Sequence, residues 1–591
     1  MRWVSGCGGG SEPDCRPGVS RGETSAKRLD EGLRVVGLSL PGMPACGTRR
    51  YGVTRRRDVL LSQRGAVILD VEGRVRVAEL VAALSLGIDL GFGQPMEHVL
   101  RQCLIALRLA ERAGLDEESR GAVYYTALLV NIGCHTDAHE QAKWFGDDIA
   151  MKSRKYDYDM RSVRGAAAAM RFLGAGHPPL HRFRLGVEFA ISGHREVDGM
   201  IDHHAKMTRL LAEQLGLADA VLDGVGAAYE RWDGRGWPGS VGGEDIPVPS
   251  RIAQLAEFVE VAYRVGGVGA AVALARERSG KQFDPTLAAL LRKEAGEILA
   301  GVAAVQTWDA VIAAEPALAM MVSGDEFDAK LFAVASFVDL KSPYMLGHSA
   351  AVADLAAAAG PALNRPAEDL RLLRRAGLVL GFGRLGVSNA IWDKPGPLGP
   401  GEWERVRMQP YFTERMLRQS AALAPLGALA AQHRERLDGS GYPRGISGRS
   451  ISQPARVLGA ADAYQAMREP RPHRAGRSAD EAAGELRAEV RSGRLDGDAV
   501  EAVLSAAGHR VRRRVSGVAG LTAREVEVLR LAARGLPSRE IAQRLVMSPK
   551  TVGNHIEHIY IKIGAGSRAA ASLFAVQHGL LPEEELIAGG T

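Results

Sequence analysis

The chain is poor in what would carry it out of a cell or into a membrane. Five cysteines (Cys7, Cys15, Cys46, Cys103, Cys134) are too few for a disulfide framework in a chain of 591 residues. No run of about 18 uninterrupted apolar residues occurs, so no membrane-spanning helix and no membrane partner are expected. The opening "MRWVSGCGGGSEPDC" lacks the apolar centre of a secretory signal. Net charge is scarce too, at +6, so the placement of the basic residues says more than their sum. These absences lead to the expectation of a cytoplasmic protein, long enough for about four domains of roughly 150 residues.

What is present is helical periodicity. Residues 1–75 are Gly-, Arg- and Ser-rich and include the basic run "RRYGVTRRRDVL". A disordered tail is expected there, or a mis-called one, because "VRVAELVAALSLGIDL" from Val75 reads as a natural first helix. From 78 to 265 apolar residues recur at three and four in "MEHVLRQCLIALRLAERAG", "RGAVYYTALLVNIG" and "HHAKMTRLLAEQLG", which predicts buried amphipathic helices. A helical connector at 266–326 leads to a second such block at 327–508. A basic linker at 509–518, containing "HRVRRRVSG", precedes a last block at 519–582 and a short tail at 583–591.

The two long blocks are an internal repeat. "ERWDGRGWPGSVGGEDIPVPSRIAQLAE" begins at Glu230 and "ERLDGSGYPRGISGRSISQPARVLGAAD" at Glu435, an offset of 205. Upstream, "LLVNIG" matches "LVLGFG" and His98 matches His348, both at an offset of 250. The first copy therefore carries an insertion of 45 residues, the difference between the offsets, lying between about 134 and 203. The "DG-x-G" element is no P-loop, because the Lys-Ser/Thr ending and the preceding strand are missing.

The motif "ER-[LW]-DG-x-G-[YW]-P", with "GHS", "KPGPL" and "RPHRAG", resembles the HD-GYP domains of the HD phosphohydrolase superfamily, over 327–508 and more weakly over 78–265. The resemblance implies an all-helical fold and an iron or manganese centre that hydrolyses phosphodiesters, often cyclic di-GMP. Such a centre needs imidazole and carboxylate donors converging from several helices. Carried across position by position, three of seven ligand positions survive in each copy. The second keeps His348, His433 and Asp462, but its His-Asp dyad is Leu380–Gly381, the lysine that follows is Arg384, and Gln409 and Arg434 replace two histidines. The first keeps His98 and His204, with Glu257 for the final Asp; its dyad is Val130–Asn131, and its paired histidines are Ala228 and Tyr229. Such sites are not expected to hold two divalent ions, and Arg434 is expected to pair with Glu435 or Asp462. The insertion offers substitute donors: Cys134, His135, Asp137 and His139 in "CHTDAHE", and Asp147 and Asp148 in "FGDD". No cofactor is expected unless these rebuild a manganese or iron site.

The last block carries Thr522 with Glu525 three residues on, a capping box. Ser548 precedes Pro549 as cap and first helical residue. Val552, Ile556, Ile559 and Ile563 then form a stripe, opposite Lys550, Thr551, Asn554, His555, His558 and Lys562. "LTAREVEVLRL", "SREIAQRL", "SPKTVGNHIEHIYIKIG" and "HGLL" resemble the LuxR-type helix–turn–helix domain along the whole block. By that resemblance Lys550, Thr551, Asn554 and His555 face the bases of double-stranded DNA, Lys562 meets phosphate, and a fourth helix pairs two copies into a homodimer.

The fold expected is thus all-α: two tandem HD-like helical domains plus a small four-helix LuxR-type domain. The function expected is a DNA-binding transcriptional regulator whose HD-like region senses or docks. Asp438, Tyr442, Arg384 and Arg434 suit phosphate and base contacts, which makes a nucleotide one candidate input; a structural or dimerising role is equally open. The rival is a working metal-dependent phosphohydrolase fused to the same DNA-binding block.

Overall fold

The computed structural model describes residues 74–159, 162–175, 178–316, 319–510 and 518–581. The expected tails, save Arg74 and Val75, and most of the basic linker lie outside them. Among the described residues the strands are Val75–Arg76 and Met321–Val322, one short antiparallel pair; the other regular elements are helices.

Both copies of the repeat bury their apolar stripes in one continuous core. Leu84, Leu100 and Leu128 enter it from the first copy, and Phe327, Leu378 and Leu458 from the second. Each fully buried side chain of this kind is worth about 1.5–3 kcal/mol. The stretch expected as a connector supplies a wall of that core. Its helices Pro285–Ile298 and Thr307–Ala313 pack on His98–Arg112 and bury Leu291, Trp308 and Val311.

The repeat is visible in how its elements start. Asp89 Oδ1 accepts from the amide of Val99 at 3.0 Å, and Asp339 Oδ2 from that of Ser349 at 2.8 Å, at the same ten-residue separation. The caps of the two helices concerned, Glu97 and Gly347, both adopt positive φ, 79° and 72°. Glycine takes that conformation freely, whereas a glutamate there is strained by its Cβ.

The helix Val248–Arg278 is, at 31 residues, long and apolar enough to cross a membrane by length and composition alone. It is broken at Gly266–Gly267, whose dihedrals are not helical, and its first half buries Glu257 and Glu260. The insertion builds a small core of its own from Trp144, Phe145, Leu173, Leu185 and Met200.

The last block has a separate core that includes Leu521, Val528, Ile541, Val552, Ile559 and Ala575. It consists of helices Ala523–Ala533, Ser538–Arg544, Pro549–Ile563 and Arg568–Gln577. The Thr522–Glu525 capping box and the Ser548 cap form as the sequence predicts.

Candidate functional site

In each copy the motif "ER-[LW]-DG-x-G-[YW]-P" is held closed by its own glutamate. Glu230 Oε1 accepts from the amide of Ser240 at 2.8 Å, and Glu435 Oε1 from that of Arg444 at 2.8 Å. The second glycine is required by contact: a Cβ on Gly236 or Gly441 would lie 2.4 Å from the Cα of Glu230 or Glu435. The loop thereby fixes the helix that follows, which carries Glu257 in the first copy and Asp462 in the second.

In the second copy His348, His433 and Asp462 do come together. His348 Nε2 lies 3.2 Å from Asp462 Oδ1, and its Nδ1 lies 2.8 Å from Glu469. The space between the surviving donors is taken by Arg434. Its Nη1 stands 3.1 Å from Asp462 Oδ2, and its Nε donates to His433 Nε2 at 3.2 Å. Of its two expected partners the arginine uses Asp462. Burial alone would push the Asp462 carboxyl up, but the Arg434 guanidinium and the His348 hydrogen bond hold it well below the ordinary range. His433 donates from Nδ1 to the carbonyl of Ala430 at 2.6 Å, and burial drives its pKa down to about 3, so it is neutral. Arg384 is buried beside Asp339 at 3.5 Å, and Gln409 donates to the carbonyl of Leu380.

The first copy reaches a similar result with different residues. Lys155, from the insertion, sets its Nζ 2.7 Å from Glu257 Oε1 and 2.9 Å from Asn131 Oδ1. Asn131, at the second dyad position, also donates to Glu257 at 2.8 Å. The rings of Phe92, Tyr156, Tyr229 and Phe258 surround the ammonium at 5.6–5.9 Å, within reach of cation–π attraction. Burial would raise the Glu257 carboxyl, yet Lys155 brings it below its ordinary value. His98 Nδ1 stands 2.5 Å from Glu260, while its Nε2 lies 3.3 Å from the Tyr156 hydroxyl, which donates to Glu257 at 2.9 Å. Burial opposes the charge on Glu260, but the His98 and Arg101 contacts hold its pKa at about 2. His204 joins neither cluster. It stands 2.8 Å from Asp137 at an angle outside hydrogen-bond range. Burial would lower its pKa, but Cys134 and Asp137 raise it to about 9. Cys134 Sγ in turn lies 2.9 Å from the Tyr229 hydroxyl.

The insertion residues that the sequence offers as substitute donors are spread out. His135 sets its ring nitrogens 2.7 Å from the carbonyls of Ile132 and Phe337; burial drives its pKa down to about 4, so the neutral ring donates to one of them. His139 pairs with Asp393 at 2.9 Å, and Asp147 caps the helix Asp148–Ser153. Asp148 is fully buried against Ser388, Asn389, Lys152 and Lys341. The contacts to Phe337, Lys341, Ser388, Asn389 and Asp393 tie the insertion to the second copy. Among the described residues no three His, Cys, Asp or Glu side chains converge so as to hold a metal ion. The clefts do not fit the dinuclear centre that the resemblance implies, because a protein cation stands on the terminal carboxylate of each. Lys155, Glu260 and Glu469 carry this arrangement and were not singled out from the sequence; Lys155 lies in a segment with no counterpart in the repeat.

On the last block, Lys550, Thr551, Asn554 and His558 are exposed along one side of Pro549–Ile563, and His555 is half-buried. Val552 and Ile559 are buried beneath. Lys562 is placed differently from expectation: its ammonium is bound by Glu525 at 2.6 and 2.8 Å, so it locks the first helix to the third.

Comparison with known proteins agrees with both halves. The HD domain family matches residues 194–287 and 333–499, and the family of bacterial regulatory proteins, luxR family, matches 519–575. A 3'3'-cGAMP-specific phosphodiesterase 3 of Vibrio cholerae is 32% identical over 69% of this chain and 89% of its own length. A cyclic di-GMP phosphodiesterase of Pseudomonas aeruginosa is 37% identical over 25% of this chain and 37% of its own. A putative HTH-type transcriptional regulator of Mycobacterium tuberculosis is 44% identical over 10% of this chain and 6% of its own. A crystal structure of a cyclic GMP-AMP specific phosphodiesterase of V. cholerae superposes with a TM-score of 0.52 at 26% identity, covering 74% of this chain and 99% of that one.

Proposed function

The chain belongs to the HD domain family and ends in a LuxR-type DNA-binding domain, and from that premise we propose that it is a transcriptional regulator whose HD region senses or docks rather than hydrolyses. The observation that carries this reading is the pair of internal cations. Lys155 on Glu257 and Arg434 on Asp462 supply the positive charge that a metal would supply in a hydrolase. With the dyads replaced by Val130–Asn131 and Leu380–Gly381, the clefts lack the donors that would bridge two ions. A cyclic dinucleotide of the kind named for the V. cholerae relative is the ligand we propose for the region.

The residues proposed to read DNA are Lys550, Thr551, Asn554, His555 and His558, on a helix entering the major groove, in a homodimer. Binding of the full chain to duplex DNA tests this. If about five cations meet phosphates, log affinity falls against log salt with a slope near −4.5. A flat salt response overturns the reading.

The phosphodiesterase names of the relatives favour a second reading, a metal-dependent phosphohydrolase. Under our reading the purified chain retains less than about 0.2 metal per molecule and does not turn over a chromogenic phosphodiester with added manganese. Turnover that His204→Ala abolishes would install the hydrolase instead.

A further inference from the structure

The insertion carries the helix Pro179–Glu188, continued without a break by Phe189–Gly193. Its inner side is already used. Leu185 is buried in the small core with Trp144 and Phe145, and the Phe189 ring packs on both. Its outer side presents Leu180, Phe183, Val187 and Ile191, which are 82, 72, 46 and 71% exposed. Their spacing of three, four and four puts all of them on one stripe. A helix apolar on both sides is one that is covered on both sides, and scattered single hydrophobes do not account for four in register.

We propose that this stripe is a seam at which two copies of the chain associate, helix against helix and antiparallel about a two-fold axis. The argument is self-complementarity. An axis passing near residues 185–186 sets Leu180 against the partner's Ile191 and Phe183 against the partner's Val187. The same axis sets Arg184 against the partner's Glu188, opposite charges at the edge of the seam. A two-fold interface requires that one patch match itself in this way. The three-and-four spacing is also the one with which helices pack along one another. This seam lies outside the DNA-binding block, and association through it is measured without DNA, so its failure and the failure of the DNA-binding reading are separate results.

The test uses the full chain in light scattering across a dilution series. The wild type is expected at twice the mass of a single chain. Phe183→Glu puts a charge into the apolar seam and is expected to raise the dissociation constant at least about hundredfold, with helical content unchanged because the ring is not part of the inner core. Arg184→Glu is expected to weaken association about tenfold, and Arg184→Glu combined with Glu188→Arg to restore it. A wild type that is a single chain at tens of micromolar overturns the proposal. So does a dimer that Phe183→Glu leaves intact.

Discussion

Lys155 and Arg434 do the same job from unrelated positions. Each neutralises a carboxylate that the fold buries: Glu257 and Asp462 are 1% and 0% exposed. A buried carboxylate stripped of the cation it pairs with is far more costly than a buried pair, so Lys155→Met and Arg434→Met are each expected to lower unfolding free energy by about 3 kcal/mol. Urea titration checks this. The control is the double change Lys155→Met with Glu257→Leu, which removes both charges and is expected to recover most of the loss. If the double variant is as unstable as the single one, the lysine acts by packing alone. The two residues were not equally legible. Arg434 stands at a position the family pattern identifies, so the sequence narrows its partner to Glu435 or Asp462, and the fold selects Asp462. Lys155 reaches Glu257 across 102 positions from an insertion with no counterpart in the repeat, and no spacing or periodicity announces such a contact.

Among the elements, the insertion and the third helix of the last block are the informative ones. The insertion's acidic and histidine residues look like metal donors in one dimension, because "CHTDAHE" crowds them together. In three dimensions the 3-10 turn Ile132–His135 and the helix Ala138–Phe145 send them in different directions. Asp148 shows what they do instead. Burial would raise its carboxyl, but Lys341 and Lys152 bring it down to about 2 from an ordinary 3.8. Lys341 bears part of the cost, since burial pushes its own ammonium down and Asp148 restores it incompletely. A carboxyl depressed on folding stabilises fully above its unfolded value of 3.8 and loses that contribution as pH falls through about 2; its size is on the order of 2 kcal/mol. Asp148→Asn should therefore be less stable than wild type at pH 6, and the gap in urea midpoints should narrow steadily toward pH 2. A gap that does not change with pH would mean that Asp148 acts through its hydrogen bonds to Ser388 and Asn389. In the third helix, Gly553 is exposed in the helix interior with nothing within 4 Å of where a Cβ would be. Gly553→Lys should gain about 1 kcal/mol, raising the melting point of a block this small by roughly 4–8 °C. If the new side chain meets phosphate, the salt slope of DNA binding steepens by about 0.9.

At the scale of the whole molecule, the sequence divides the chain more finely than its packing does. The repeat at offsets of 250 and 205 reads as two units with a connector between them. Periodicity says which residues are buried, though not what they are buried against, and here the stripes of both copies and of 266–326 meet in one core. The helices of the last block were legible because its caps and stripe are local signals, while the tie of Lys562 to Glu525 across 37 positions was not; its core shares no member with the large one. The large core, to which the insertion is tied by its contacts to the second copy, and the core of the last block imply two cooperative units. Calorimetry of the full chain is therefore expected to show two transitions, a small one near 45 kcal/mol for the last block and a large one near 300 kcal/mol for the body, at about 0.7 kcal/mol per residue. Three transitions, with the copies of the repeat melting apart, would break the single large core. Duplex DNA binds the folded last block and not its unfolded form, so it should raise the small transition by mass action and leave the large one in place. A shift of the large transition would have a definite meaning: it would measure the coupling free energy between the HD region and the DNA-binding block, for which about 1–3 kcal/mol is the usual size, and a regulator that senses through the first and acts through the second should show that shift when its ligand is present and lose it when the ligand is withdrawn.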